Sequence, residues 1–234
     1  MVITKNFAHK RVGNSEKSYK LIDIKKVPMI TEKTAKIRHG IVRLIAPKIY
    51  KEAAPRKTRP FTKFIQKKFN DKSLLGVEIG VLKGFNALNL LDNLNIEKIY
   101  LIDPYGAYED TDNKLFSKIE LRSYFNQAQK AMTKYKDVVQ FIVSQSSEAV
   151  THVPDNLDFV YIDGCHKYEV VKDDIEKYWQ KVKNGGVIGG HDFTSHNLGV
   201  IKAVMEFVNN KGLDLQASYS DWWIVKPDLN TSVN

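Results

Sequence analysis

Four stretches of the chain carry residue types that can do chemistry. The first is Gly76-Val77-Glu78-Ile79-Gly80-Val81-Leu82-Lys83-Gly84. Its pattern is E-x-G-x-x-x-G, directly after an apolar run. Glycines there let the backbone turn sharply and approach a ligand with no Cβ in the way. A helix starting behind them offers free N–H groups. A dinucleotide fingerprint requires glycine where Glu78 stands, which weighs against a nicotinamide dehydrogenase. The second is Asp103, 23 residues after Gly80. A carboxylate ending the next strand can accept hydrogen bonds from both hydroxyls of a ribose, or it can cap the turn at Pro104. The third runs from Asp158 to Glu169 and holds Asp163, Gly164, Cys165 and His166; the fourth is Gly185-Gly186-Val187-Ile188-Gly189-Gly190-His191-Asp192-Phe193. Imidazoles titrate near neutral pH, so His166 and His191 are candidate proton acceptors. Each also has a bland reading, a loop cap for His166 and a strand-end hydrogen bond for His191. Asp163 is the third candidate, and His196 lies one loop further on.

These residues need elements to hold them. From residue 72 apolar runs alternate with helical periodicity. Strands are expected at 74–79, 98–103, 138–143, 157–163 and 186–190, with a closing pair at 213–219 and 222–225. Helices are expected at 85–94, 114–135, 167–182 and 198–209, with a short turn at 148–153. Alternation of this kind implies an α/β fold, a mainly parallel, Rossmann-like sheet of seven strands with helices on both faces and an antiparallel C-terminal strand. In such sheets ligands bind at the carboxyl ends of the strands, near the point where strand order reverses. Gly80, Asp103, Asp163 and His191-Asp192 all follow apolar runs, as that rule requires. Trp222 and Trp223 are neighbours on one strand and point to opposite faces; core packing is the reading for both.

Composition sets the frame. The 234 residues are 43% hydrophobic and include 11 Phe, 11 Tyr and 3 Trp, enough for one domain with a full core. A single cysteine, Cys165, rules out an intrachain disulfide. No apolar run reaches the ~18 residues of a membrane span, and the first residues lack a signal-peptide core. The location expected is cytoplasmic. Residues 1–70 carry 19 Lys/Arg against 4 Asp/Glu, whereas residues 71–234 carry 17 against 23, so the net charge of +9 comes from the N-terminal part. The organisation expected is a basic, partly helical extension over 1–70, a catalytic domain over 71–227 and a tail over 228–234. Within the extension, Ile37, Ile41, Leu44, Ile45 and Ile49 repeat at helical spacing among Lys36, Arg38, Arg43 and Lys48, a basic amphipathic helix over 31–51. Packing against the body is the first reading of it. Contact with the inner face of a membrane, cover for the substrate pocket and a homo-oligomer contact stand beside that. No nucleic-acid motif accompanies the charge.

The segments I-D-G-C-H-K-Y-E (162–169) and G-G-V-I-G-G-H-D-F (185–193) together resemble class I S-adenosylmethionine-dependent methyltransferases, and within them methyltransferase family 24. The resemblance covers about residues 74–226. It implies that Glu78, Gly80 and Gly84 line the methionine and ribose side of S-adenosylmethionine, that Asp103 binds the ribose, and that Gln145, Ser146 and Ser147 hold the adenine edge. Asp163 would lie beside the methyl group. Some related enzymes hold a divalent cation with the carboxylate ending the fourth strand and an acidic pair ending the fifth. Here that set would be Asp163, His191 and Asp192, with Mg or Mn as the ion; imidazole suits manganese better than magnesium. The other reading is that these carboxylates only orient cofactor or substrate. The activity implied is O-methylation of a small molecule or saccharide, with His191, His166 or Asp163 taking the proton. An RNA or protein methyltransferase is the alternative, but Asp163-Gly164-Cys165-His166 stands where an N-P-P-Y loop would be needed for base methylation. A non-catalytic cofactor-binding module is a third reading, against which Glu78, Gly80, Asp103 and Asp163 are all intact.

Overall fold

The computed structural model describes residues 58–228 except 107 and 110–114, and gives only the backbone of 108, 109, 115 and 116. The amphipathic segment at 31–51 and residues 229–234 of the tail lie outside the described residues. In chain order the elements are α1 (Pro60–Phe69), β1 (Leu74–Ile79), α2 (Phe85–Asn93), β2 (Ile96–Ile102), the two-residue strands β3 (Tyr108–Glu109) and β4 (Leu115–Phe116), α3 (Lys118–Ala131), β5 (Val139–Ile142), α4 (Ser146–Ala149), β6 (Leu157–Ile162), α5 (Tyr168–Lys181), β7 (Val182–Gly190), α6 (Leu198–Lys211), β8 (Leu215–Ser218) and β9 (Asp221–Val225).

Seven strands form one sheet in the order β5-β2-β1-β6-β7-β9-β8. The first five are parallel, and β9 runs antiparallel to both β7 and β8. The chain winds outward from β1 to β2 and β5, then returns to β6 on the other side of β1. Strand order therefore reverses between β1 and β6. Ile79 pairs with Ile102 on one side and Ile162 on the other, and Ile162 pairs with Gly190. This level register puts Gly80, Asp103, Asp163 and His191 side by side at the carboxyl edge. Backbone bonds extend it one residue further: Gly80 N–H donates to Ile102 (2.8 Å), Asp163 N–H to Ile79 (2.7 Å) and His191 N–H to Ile162 (3.0 Å).

The two-residue period of the strands divides the core. Val77, Ile79, Val160, Ile162, Trp222 and Ile224 face α5 and α6. Phe159, Tyr161, Leu101 and Trp223 face α1, α2 and α3. Both tryptophans are buried on opposite faces, as the strand period dictates.

Three boundaries differ from the sequence reading. The helix at 60–69 belongs to the domain, not to an extension ending at residue 70. Phe61 and Ile65 are fully buried. The Phe61 ring meets Tyr161 edge-on at 4.8 Å, and Phe64 lies 5.2 Å from Trp223. Pro60 starts this helix, where its missing N–H costs nothing, and is not part of a linker. The long helix expected over 114–135 is confined to Lys118–Ala131. Ser117 and Glu120 form a reciprocal capping box that fixes its start. Strand β7 begins at Val182, directly from α5, because Val182 already pairs with Leu157. Among the described residues no helix is long and apolar enough to cross a membrane.

Candidate active site

The turn after β1 is built around two glycines. Gly80 has φ +84°, and a Cβ there would fall 2.2 Å from the carbonyl oxygen of Asp163. Only glycine lets the end of β1 pass the end of β6 so closely. Gly84, at φ +75°, caps α2, and a Cβ on it would strike Met132. Between them the backbone is clamped by Asp103. Its Oδ2 accepts from the N–H groups of Val81 (3.0 Å) and Leu82 (2.9 Å), and its Oδ1 from that of Tyr105 (2.8 Å). The turn cap foreseen at Pro104 is thus present, in the bond to Tyr105. A carboxylate offers about four lone-pair positions, so three bonds leave room for a further donor.

Glu78 is buried beneath this turn. Its Oε1 accepts from Asn86 Nδ2 at 3.3 Å, while its Oε2 has no hydrogen-bond partner. Burial, and then the charge of Asp163, pushes its carboxyl well above the usual range. A cradle free of Cβ atoms, beside a buried acceptor lacking a donor, fits a ligand that brings hydroxyl or ammonium groups.

Across the switch point lies a denser cluster. Asp163 Oδ2 pairs with Arg59 Nη1 at 3.4 Å, and its Oδ1 stands 3.6 Å from His191 Nδ1. Burial pushes the Asp163 carboxyl up to about 6, although His191 and Arg59 pull it back. Asp192, in the left-handed region at φ +59°, holds two imidazoles with one oxygen. His166 Nε2 is 2.9 Å and His191 Nδ1 3.2 Å from its Oδ2. Against the effect of burial, these bonds keep Asp192 well below the usual carboxylate range. His191 Nε2 meets Ser220 Oγ at 2.8 Å. Burial lowers the pKa of His191, but Asp192 and Asp163 outweigh it, so the net shift is upward. One ligand atom from each of Asp163, His191 and Asp192 lies within 4.8 Å of the others. These are the three residues singled out as metal ligands, and two carboxylates with one imidazole suit a divalent cation.

The structure thus collects Glu78, Gly80, Asp103, Asp163, His166, His191 and Asp192 on one edge. Ser146 and Ser147 open α4 after β5, at the sheet's outer strand and two strands from β1. Ser146 is tied from below, its carbonyl accepting from the Tyr178 hydroxyl at 2.9 Å. His196 lies in the loop before α6, outside the three-ligand set. Sequence reasoning missed Arg59 and Asp221. The buried Asp221 accepts from Arg59 Nη2 (3.0 Å), from the Tyr161 hydroxyl (2.9 Å) and from the N–H of Phe61 (3.1 Å). Arg59 meets its acids across 104 and 162 residues of chain, so no local pattern marks it.

Comparison with known proteins agrees with this geometry. The sequence model of methyltransferase family 24, described as a methyltransferase domain, matches residues 77–193. An uncharacterised protein of Acanthamoeba polyphaga mimivirus is 26% identical over 149 residues. That match spans 64% of this chain and 64%, under two thirds, of the viral protein. Among solved structures, a Corynebacterium glutamicum protein superposes with TM-score 0.55 at 14% identity, covering 87% of this chain and 94% of its own. A putative methyltransferase from Streptococcus mutans, in complex with SAH, gives TM-score 0.54 at 12% identity, covering 74% of this chain and 99% of its own. The domain is of the class I S-adenosylmethionine-dependent methyltransferase type. The chain belongs to methyltransferase family 24.

Proposed function

We propose that the protein transfers the methyl group of S-adenosylmethionine to a hydroxyl oxygen of a small molecule or saccharide, and that a divalent cation assists. The observation that carries this reading is the His166–Asp192–His191–Asp163 cluster, one strand away from the glycine turn at the switch point. The cofactor side comprises Glu78, Gly80, Gly84 and Asp103, with Ser146 and Ser147 toward the adenine. The sulfonium supplies the methyl group by in-line displacement, so the protein's part is to align the acceptor oxygen and take its proton. His166 suits that task better than His191. Asp192 orients it by a 2.9 Å contact, whereas both nitrogens of His191 are engaged, by Asp192 and Ser220. Asp163, Asp192 and His191 would hold the cation, which would polarise the acceptor hydroxyl.

The surroundings support an acceptor arriving at this edge. Among the described residues, the large apolar side chains left exposed are Leu82, Phe85, Ile119, Val143, Val170, Leu198 and Tyr219. Each follows the carboxyl end of a strand, opens the helix behind one, or sits in the β8–β9 turn beside Gly190. A ring of apolar groups around a polar centre is how a site grips an acceptor with both characters.

Calorimetric titration with S-adenosylmethionine and S-adenosylhomocysteine, with and without manganese, tests the reading. Micromolar binding is expected for both compounds. In Asp163→Asn that affinity should stay within about threefold, while methyl transfer to a responsive acceptor falls ~100-fold or more. Absence of binding to either compound sinks the proposal.

A further inference from the structure

Arg59 is the one arginine or lysine among the described residues that ion-pairs with a member of the three-ligand set. Its backbone is fixed, since its N–H donates to Asn89 Oδ1 at 3.1 Å. Its guanidinium forks: Nη1 reaches Asp163 Oδ2 at 3.4 Å and Nη2 reaches Asp221 Oδ1 at 3.0 Å, over the Tyr161 ring at 5.3 Å. Asp221 cannot release it cheaply, because that carboxylate is buried and otherwise holds only the neutral Tyr161 hydroxyl and Phe61 N–H. The same Asp163 offers its other oxygen to the His191–Asp192 side.

We infer that Arg59 is a tethered cation that competes with a divalent ion for Asp163, and so sets the metal affinity of the Asp163–His191–Asp192 cluster. The inference rests on the metal reading above. Two effects act in the same direction. The guanidinium occupies Asp163 Oδ2, which denies an ion a two-oxygen grip on that carboxylate. It also places a full positive charge one carboxylate away from the ion, in a site partly shielded from water, where repulsion is not screened as it is at the surface. Arg59 immediately precedes α1, so the chain entering the domain from the basic N-terminal part carries this charge into the site. The cluster is thereby nearly neutral without metal, and a bound ion becomes an exchangeable partner, not a structural staple.

The test is manganese binding to the chelator-treated full-length protein, read from the electron paramagnetic resonance signal of free Mn²⁺. Wild type is compared with Arg59→Gln, Arg59→Met and Arg59→Lys, each first checked for folding by thermal melting. Arg59→Met keeps the stem packed on Tyr161 if the glutamine variant does not fold. The neutral variants should bind Mn²⁺ at least ~10-fold tighter than wild type, and Arg59→Lys should stay within about threefold of it. Binding by the neutral variants alone would be the strongest support. If wild type binds and the neutral variants are equal or weaker, Arg59 does not compete and the metal reading still stands. If neither wild type nor any variant binds at millimolar Mn²⁺, the metal reading falls and takes the inference with it.

Discussion

Replacing Asp103 with alanine should damage both the fold and cofactor binding, in amounts set by the three N–H groups it satisfies. The bonds to Val81 and Tyr105 are buried, whereas Leu82 is exposed and can turn to water. A buried donor left without an acceptor costs about 1–3 kcal/mol. Two such donors give roughly 2–6 kcal/mol of lost stability, with about 4 as the central value. In a domain of this size that lowers Tm by roughly 8–16 °C. Asp103→Asn should cost less, because its amide oxygen can serve either the Val81/Leu82 pair or Tyr105, but not both. Chemical denaturation at fixed pH reads the order, alanine worse than asparagine. Calorimetry on the folded fraction reads the ligand side. Losing two bonds from ribose hydroxyls to a charged acceptor should weaken S-adenosylmethionine by ~100-fold or more. An alanine variant destabilised by less than ~1 kcal/mol would show that Asp103 is not the clamp of the glycine turn. A destabilised variant with unchanged affinity would leave the clamp standing and remove Asp103 from the ribose.

Asp174 on α5 is buried, with Oδ1 lacking a partner, and burial pushes its carboxyl up to about 7. A raised carboxyl contributes its full stability below its unfolded pKa, near 4, and loses it as pH climbs through 7. Asp174→Asn should therefore match wild type near pH 4 and exceed it by up to about 4 kcal/mol at pH 8; urea titrations that give the same difference at both pH values would refute this. Phe61→Ala should cost roughly 3–5 kcal/mol, since the ring is fully buried against Tyr161 and Phe159. A loss below ~1 kcal/mol in the same assay would return α1 to the status of an appendage.

Much of this was legible in the sequence because period and punctuation are local. The apolar runs ending at Ile79, Ile102, Ile162 and Gly190 gave away the parallel strands, and the residues following them supplied the site edge. The two-residue period placed Trp222 and Trp223 on opposite faces. What stayed hidden depends on long-range contact. The spacing of Phe61, Ile65 and Phe69 shows a helix but not that its apolar face covers Phe159 and Tyr161. Nothing beside Arg59 in sequence says that two acids more than a hundred residues away will share its guanidinium. The roles of His166 and His191 were likewise undivided until the structure showed which nitrogens Ser220 and Asp192 take.

Backbone strain points to the same edge as the polar chemistry. Six non-glycine residues have positive φ: Asn70, Leu82, Tyr105, Asn156, Asp192 and Tyr219. The two asparagines tolerate that conformation easily and sit in turns at the amino-terminal end of the strands, before β1 and before β6. The other four all lie on the carboxyl edge, and Leu82 and the two tyrosines gain nothing locally from it. Such strain persists only where surrounding contacts enforce it. Here the contacts are named: Asp103 holds the N–H groups of Leu82 and Tyr105, and the Tyr105 hydroxyl donates to the Leu82 carbonyl at 3.0 Å. Asp192 is held by His166 and His191. A fold selected for stability alone would relax these turns with glycine or asparagine. The costlier residues are kept where a backbone turn must meet one face of a ligand and a carboxylate must aim two imidazoles. The strained turns and the His–Asp cluster are therefore two halves of one device, the first fixing the donor and the second the acceptor.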